Sequence, residues 1–511
     1  MRLTSSTGRS RPASRPAPGS TPAFAAGSGP DSRSGSGRDR EILTLALPAF
    51  GALVAEPLFL MADSAIVGHL GTAQLAGLGV AAALLGTLVN VFVFLAYATT
   101  AAVARRVGSG DRAAAVQQGV DGIWLALILS VPVVAAAIPL ARMLVQLFGA
   151  SAGATPYAVD YLRVSTLGIP AMLVVLAATG VLRGLQDTRT PLLVAVAGFS
   201  GNLLLNAGLV YGAGLGITGS ALGTVLAQWG MAAAYLTVVV RGVRRTAAAG
   251  TADARPTASE PAATRTVAGE GTAAGEGTAG ARTAGAGSAW WKALRPDLPG
   301  IRACATAGVP LLVRTLSLRA ILLIATGVAA RLGNTAMAAH QVAMALWTFL
   351  AFALDAIAIA GQAIIGRYLG AGDAPGARAA TRRLVLWGIG TGVVLGTLLL
   401  AARPLYLPVF TADPAVQHQL DTVLLVAAAS QPVCGVVFVL DGVLTGAGDG
   451  PYLAWAMLGT LAAYAPVALL LGSGGLVALW GSVALCMVVR LLLLTLRARG
   501  GAWLVTGAVR G

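Results

Sequence analysis

The sequence predicts an all-α integral membrane protein, with twelve transmembrane helices in two parallel six-helix repeats. The repeats form an N-lobe and a C-lobe around a central cleft. Three observations lead there. Of 511 residues, 56% are hydrophobic and only 11% are charged. A soluble globule carries about 25% charged residues, so much of this surface must face lipid. Two almost wholly apolar stretches, 41–242 and 299–498, each divide into six candidate spans. The two stretches also match each other at a single offset.

A spanning helix needs about 20 apolar residues. Breaks at Gly, Pro and charged clusters give spans over 41–66, 73–104, 115–142, 155–183, 190–212 and 216–242. The second set is 299–328, 335–366, 377–404, 415–446, 451–473 and 475–497. Several are long enough to tilt or to run on into water. In domain terms, 41–245 is the N-lobe with helices 1–6, and 299–499 is the C-lobe with helices 7–12. Residues 1–40, rich in Ser, Pro, Gly and Arg, are expected to be a disordered basic tail; no apolar run follows Met1 closely enough for a secretory signal. The Ala/Gly/Thr/Glu-rich stretch 246–298 reads as a low-complexity linker, and 500–511 as a second tail.

Arginines fix the orientation. Arg105, Arg106 and Arg112 follow helix 2; Arg183 and Arg189 follow helix 4; Arg241, Arg244 and Arg245 follow helix 6. Arg367, Arg378, Arg382 and Arg383 follow helix 8, and Arg497 and Arg499 follow helix 12, whereas the opposite loops hold little beyond Arg331. The positive-inside rule then places both termini and the linker in the cytoplasm, in the cytoplasmic membrane of the cell.

Sliding the chain by 262 positions aligns Pro48 with Pro310, Leu70-Gly71 with Leu332-Gly333, and Pro170 with Pro432. Arg105, Gly108, Gly110 and Asp111 fall on Arg367, Gly370, Gly372 and Asp373; Val181-Leu182, Gly184 and Asp187 fall on Val443-Leu444, Gly446 and Asp449. Near the end the register slips, Leu222-Gly223-Thr224 answering Trp480-Gly481-Ser482 at an offset of 258. Six spans is an even number, so both repeats enter the membrane from the same side. An axis along the membrane normal relates them, as in transporters that bind substrate between rocking lobes.

The net charge is +15, but the basic residues sit in loop clusters and in the tail rather than along one face, which argues against nucleic acid as a partner. Cys304, Cys434 and Cys486 lie in separate apolar runs, so no disulfide framework or zinc site is expected. An intramembrane enzyme would need a nucleophile–base pair or a metal motif. His69 and His340 are near helix ends, His418 is in an outer loop, and neither H-E-x-x-H nor G-x-S-x-G occurs.

Several motifs match a known family. Glu56-Pro57-Leu58 followed by Ala62-Asp63-Ser64-Ala65-x-x-Gly68-His69-Leu70-Gly71 resembles helix 1 of the multidrug and toxic compound extrusion (MATE) family, DinF-like branch. Ala339-His340-Gln341-Val342 and Gln362-Ala363-x-x-Gly366-x-Tyr368-Leu369-Gly370-Ala371-Gly372-Asp373 resemble its helix 8 and the loop beyond. Gly180-Val181-Leu182-Arg183-Gly184-x-x-Asp187 resembles its helix 4–5 loop. The resemblance spans both lobes. It implies a twelve-helix antiporter without a cofactor, exporting small organic and often cationic compounds across the bilayer on a transmembrane H⁺ or Na⁺ gradient.

Ionisable groups inside spans are costly and are functional suspects. Asp63 lies in the outer third of helix 1, beyond the kink points Pro48 and Pro57, with Glu56 two turns earlier on nearly the same face. Asn202 and Asn206 share a face of helix 5, and Thr224 and Gln228 share one of helix 6. Asp63, Asn206 and Thr224 are expected at similar depth. Well-known relatives carry Asp at the position matching Asn206. The departure leaves Asp63, with Glu56, as the expected coupling residue. In the C-lobe, Arg314 and Asp355 fall at similar depths and are expected to form an ion pair; Asp441 lines the inner cavity or sits at a solvated helix end, and Arg490 is expected to snorkel. Gln341 and Gln228 are further candidates for substrate contact. A metal site is not expected, and the protein is read as a monomer. The alternative reading is a lipid-linked oligosaccharide flippase or an exporter of an endogenous metabolite from the same superfamily; the flippase calls for a larger, more cationic cavity than Arg314 and Arg319 provide.

Overall fold

The computed structural model describes residues 35–253, 291 and 294–509. Among the described residues, fifteen α-helices make up the framework. The first eight are α1 (Gly35–Gly68), α2 (Thr72–Phe92), α3 (Phe94–Gly108), α4 (Arg112–Leu147), α5 (Thr155–Thr166), α6 (Ile169–Gly184), α7 (Arg189–Ala207) and α8 (Gly216–Asp253). Then follow α9 (Leu298–Arg331), α10 (Asn334–Gly370), α11 (Ala374–Ala401), α12 (Arg403–Phe410), α13 (Pro414–Gly446), α14 (Gly450–Leu471) and α15 (Leu476–Arg499). Among the described residues, eleven stretches are long and apolar enough to span a membrane, α2 and α3 together forming one; α5 and α6, bent by 54° at their junction, make twelve when taken as one span.

Repeat-related residues explain where the helices begin. Gly110 and Gly372 adopt φ of 83° and 80°, which an L side chain resists. Each turns the chain into an N-capping aspartate: Asp111 accepts from Ala114 N at 2.8 Å, and Asp373 from Gly376 N at 2.7 Å. The repeated Pro170 and Pro432 act differently. Pro432 sits inside the continuous α13, whereas Pro170 begins α6 at the bend. The position two before the proline is Gly168 in one repeat and Ser430 in the other. A proline that removes a helical hydrogen bond beside a residue with no Cβ leaves little to hold the helix straight.

Three boundaries differ from expectation. Helix α1 begins at Gly35, so residues 35–40 are helical rather than part of a disordered tail. Their anchor is Asp39, which accepts from Arg383 Nε at 2.6 Å and from Trp387 Nε1 at 2.8 Å. The remainder of that expected tail, 1–34, lies outside the described residues, as do 254–290 and 292–293 of the expected linker. The linker's flanks are ordered: α8 continues to Asp253, and Leu294 O accepts from Trp124 Nε1 at 2.9 Å. The segment after α15 is docked, with Trp503 only 1% exposed.

Helices α1–α8 pack largely on one another, and so do α9–α15. Between the halves, the contacts gather toward the arginine-rich end. Phe94 packs on Gly308, Gln362 Nε2 donates to Tyr97 O at 2.6 Å, and Ala49 meets Ala356 and Ile359. The single-residue break at Val93 places α3, rather than α2, along α10.

Candidate functional site

Asp63 lies on α1 five residues before its end and is 3% exposed. Its Oδ1 accepts from Asn206 Nδ2 at 2.6 Å and from Ser220 Oγ at 2.9 Å. Among the described residues it has no cationic partner in an ion pair. Helices α7 and α8 run antiparallel, so one turn deeper the pairing repeats: Asn202 Nδ2 donates to Thr224 Oγ1 at 3.3 Å. Asn202 and Asn206 are both buried, and the Oδ1 of each has no hydrogen-bond partner among the described residues.

The close approach of α8 needs Gly223, because a Cβ there would overlap Asn206 Oδ1. Tyr161 of α5, also buried, faces Ser220 and Thr224 from the remaining side. Just past Asn206 the chain makes a π-turn over Gly208–Gly212, a feature frequent at functional sites. Tyr211 in that turn donates to Ile66 O at 2.6 Å, and Phe59 stacks on Phe199 with centroids 5.1 Å apart, so α1 is held against α7 above and below Asp63.

The sequence places Asp63, Asn202, Asn206 and Thr224 together, and the geometry joins them in two adjacent rungs. Thr224 belongs to the rung of Asn202 rather than touching Asp63. Ser220 and Tyr161 were not anticipated. Ser220 lies one helical turn before Thr224, so the i−4 spacing from a suspected residue was its available signal. Glu56 does not join the cluster: it is exposed and makes no hydrogen bond or ion pair among the described residues. Gln228 packs at the α5–α6 bend, its Oε1 filling the space a side chain on Gly168 would take, and Gln341 is exposed.

The C-lobe polar groups form a second centre, wired differently from the expectation. Arg314 of α9 pairs with Asp441 of α13, not with Asp355, and its guanidinium lies 5.2 Å from the Tyr97 ring centroid. Arg490 does not snorkel; it is buried 3.8 Å from the same Asp441 carboxylate, which is therefore not a solvated helix end. Asp355 instead accepts from the Tyr97 hydroxyl at 3.5 Å. Equal depth along two helices does not fix which side chains meet: Asp355 and Asp441 line the same small cavity beside Arg314, and Asp441 is the one that pairs with it. Cavities of about 10 Å³ flank Arg314 on both sides, room for one water at most. The centre is packed shut. A space of about 320 Å³ opens instead at the arginine-rich end, lined by Gly37, Arg40, Glu41, Thr44, Gln186 and Arg367 among others.

Two repeated helical lobes, twelve apolar spans and a buried carboxylate on a spanning helix define a polytopic membrane transporter. The chain belongs to the MatE family, whose model matches it twice, over 48–207 and 310–470, the two repeats. It is a multidrug and toxin efflux transporter of this family. It is 28% identical over 484 residues to Protein DETOXIFICATION 44, chloroplastic, of Arabidopsis thaliana, covering 91% of this chain and 81% of that one. It is 27% identical over 460 residues to DNA damage-inducible protein F of Escherichia coli strain K12, covering 88% and 90%. A solved structure described as the crystal structure of MATE in complex with MaL6 superposes with a TM-score of 0.74 at 18% identity, over 90% of this chain and 96% of the other, so the fold is shared.

Proposed function

We propose that this transporter is an antiporter that exports organic compounds, cationic or amphipathic, in exchange for protons, with Asp63 as the proton-coupling residue. One observation carries the reading. Asp63 is a buried carboxylate held by two neutral donors with no cation beside it. A lone charge in that position is expensive. Protonation removes the charge but leaves the acid O–H in need of an acceptor, and Asn206 Oδ1 is unpartnered beside it. A half-turn of the Asn206 amide exchanges its donor for that acceptor. Proton binding thereby rewires the contact between α1 and α7, which is how a local event can bias the shape of the lobe.

The cleft between the lobes opens alternately to the two sides, and the arginine-rich end faces the cytoplasm of the cell membrane in which the protein resides. The protein works as a monomer. Family membership and the name of the plant relative, a detoxification protein, support organic substrates. A second reading, coupling to Na⁺, draws support from the two unpartnered oxygens of Asn202 and Asn206, which are cation ligands if the amides turn. Export of an endogenous metabolite is the alternative for the substrate.

The test is efflux of ethidium, a fluorescent organic cation, from proteoliposomes under a pH gradient or a Na⁺ gradient alone, with wild type and Asp63→Asn. Efflux driven by the pH gradient and reduced by about tenfold or more in the variant is expected. Undiminished proton-driven efflux in Asp63→Asn would reject Asp63 as the coupling residue. Efflux driven only by Na⁺ would reject proton coupling.

A further inference from the structure

At the arginine-rich end the two lobes meet through residues that the 262-position repeat relates to one another. A Cβ on Gly108 would overlap Arg367 O, and one on Gly370 would overlap Arg105 O. Gly108 and Gly370 are repeat mates, as are Arg105 and Arg367. The same holds one turn deeper, where a Cβ on Gly366 would come within 2.8 Å of the Cβ of its mate Ala104. Two helices, α3 and α10, thus cross backbone to backbone.

The arginines then reach across. Arg105 Nη1 donates at 3.2 Å to Ala447 O, the residue that ends α13 in the opposite lobe, where a cation suits the helix carbonyls. Arg367 Nη1 donates at 2.9 Å to the side chain of Gln186, just past the end of α6, and pairs with Glu41. Gln186 holds a left-handed φ of 64°; its repeat mate is Gly448, with φ of 70°. A glycine would meet the turn's demand without strain. Keeping a glutamine there makes sense if its amide is needed, and Arg367 is what it binds.

The segment after α15 adds a strap on one side only. Val505 O accepts from Arg105 Nη2 at 2.8 Å, Gly507 N donates to Leu369 O at 3.0 Å, and Trp503 is buried. The strap therefore bonds to both lobes across the seam.

We propose that the Gly108–Gly370 crossing, clamped by Arg105 and Arg367 and strapped by residues 501–509, is a gate that closes the cleft at the arginine-rich end. The inference rests on alternating access as read above. Opening this end requires the two glycine contacts to part and both arginines to release their cross-lobe acceptors. The reciprocal geometry means that both lobes unlock by the same move, in keeping with a two-fold rocking motion. Because the strap engages Arg105 and not Arg367, it raises the hold on one half of the clamp.

The experiment is a spin-label distance measurement on the full-length protein in lipid nanodiscs. Labels go on cysteines at Ser109 and Ala371, exposed repeat mates that flank the crossing; the three native cysteines are buried. Gly108→Ala with Gly370→Ala is expected to raise the population at longer distance about tenfold. Deletion of 501–511 is expected to shift it the same way by a smaller factor. Gly390→Ala, where a Cβ meets open space, is the control for general loosening. A distribution unchanged in the double alanine variant would overturn the gate, and so would an equal shift in the control. The readout does not depend on transport: a shift in a protein that Asp63→Asn leaves fully active keeps the gate and removes the coupling proposal.

Discussion

At the scale of single residues, the centre of the N-lobe is a question of donors and acceptors. Asp63 receives one hydrogen bond from an amide and one from a hydroxyl, each worth about 0.6–2 kcal/mol in a membrane. Ser220→Ala removes one donor and leaves the carboxylate. Ethidium efflux is expected to slow severalfold without being abolished, and its pH dependence is expected to shift, because the charged form of Asp63 loses support. An unchanged pH profile in Ser220→Ala would place the serine outside the coupling chemistry. In the C-lobe, Asp441→Leu strands Arg314 and Arg490, two buried guanidiniums, so a loss of about 3–5 kcal/mol is expected in detergent unfolding. Arg314→Leu combined with Asp441→Leu is expected to recover part of that loss. Much of this was readable beforehand: a buried ionisable residue stands out in an apolar run, and its helix mates follow at spacing four. Partner choice was not. Asp355 matches Arg314 in depth, yet Arg314 pairs with Asp441, which the sequence places nearer the inner end of its helix.

At the scale of helices, small residues set how closely elements approach. Gly223 lets α8 sit against Asn206, so Gly223→Ala is expected to displace the amide and impair efflux while expression and helix content stay normal. Wild-type efflux from Gly223→Ala would show that the Asn206 position is not critical. The helix starts expected at 115 and 377 fall three residues past the observed Arg112 and Ala374, because the repeat-related Gly-Asp pairs set the start by a positive φ followed by an N-cap. The α5–α6 bend was half legible: Pro170 was visible, but its repeat mate Pro432 lies in an unbroken helix. The deciding neighbour, Gly168 against Ser430, is informative only once the two outcomes are compared. The start of α1 at Gly35 was hidden because its anchors, Arg383 and Trp387, are distant in sequence.

At the scale of the whole molecule, duplication is the organising fact, and most of it is legible from one ungapped offset of 262, with a slip to 258 near the end. The family model falls on the same two stretches. Duplication did not make the lobes chemically alike. The position of Asp63 corresponds to Ala325, and that of Asn206 to Ala468. At its centre the N-lobe has Asp63, with no ion-pair partner among the described residues, whereas the C-lobe has Asp441 between two arginines. In the reading proposed above, a proton entering the N-lobe meets Asp63, whereas in the C-lobe Asp441 is compensated by two arginines and Asp355 accepts a hydrogen bond from the Tyr97 hydroxyl. On that proposal, Asp63 is the point where substrate and proton compete. Linkage then requires that substrate binding expel the proton, just as the proton expels substrate. The direct measurement is proton release when ethidium binds the purified transporter in weakly buffered detergent, at a pH where the wild type holds the proton. Release of about one proton per bound ethidium by wild type and none by Asp63→Asn is expected. Equal release from both proteins would contradict Asp63 as the coupling residue.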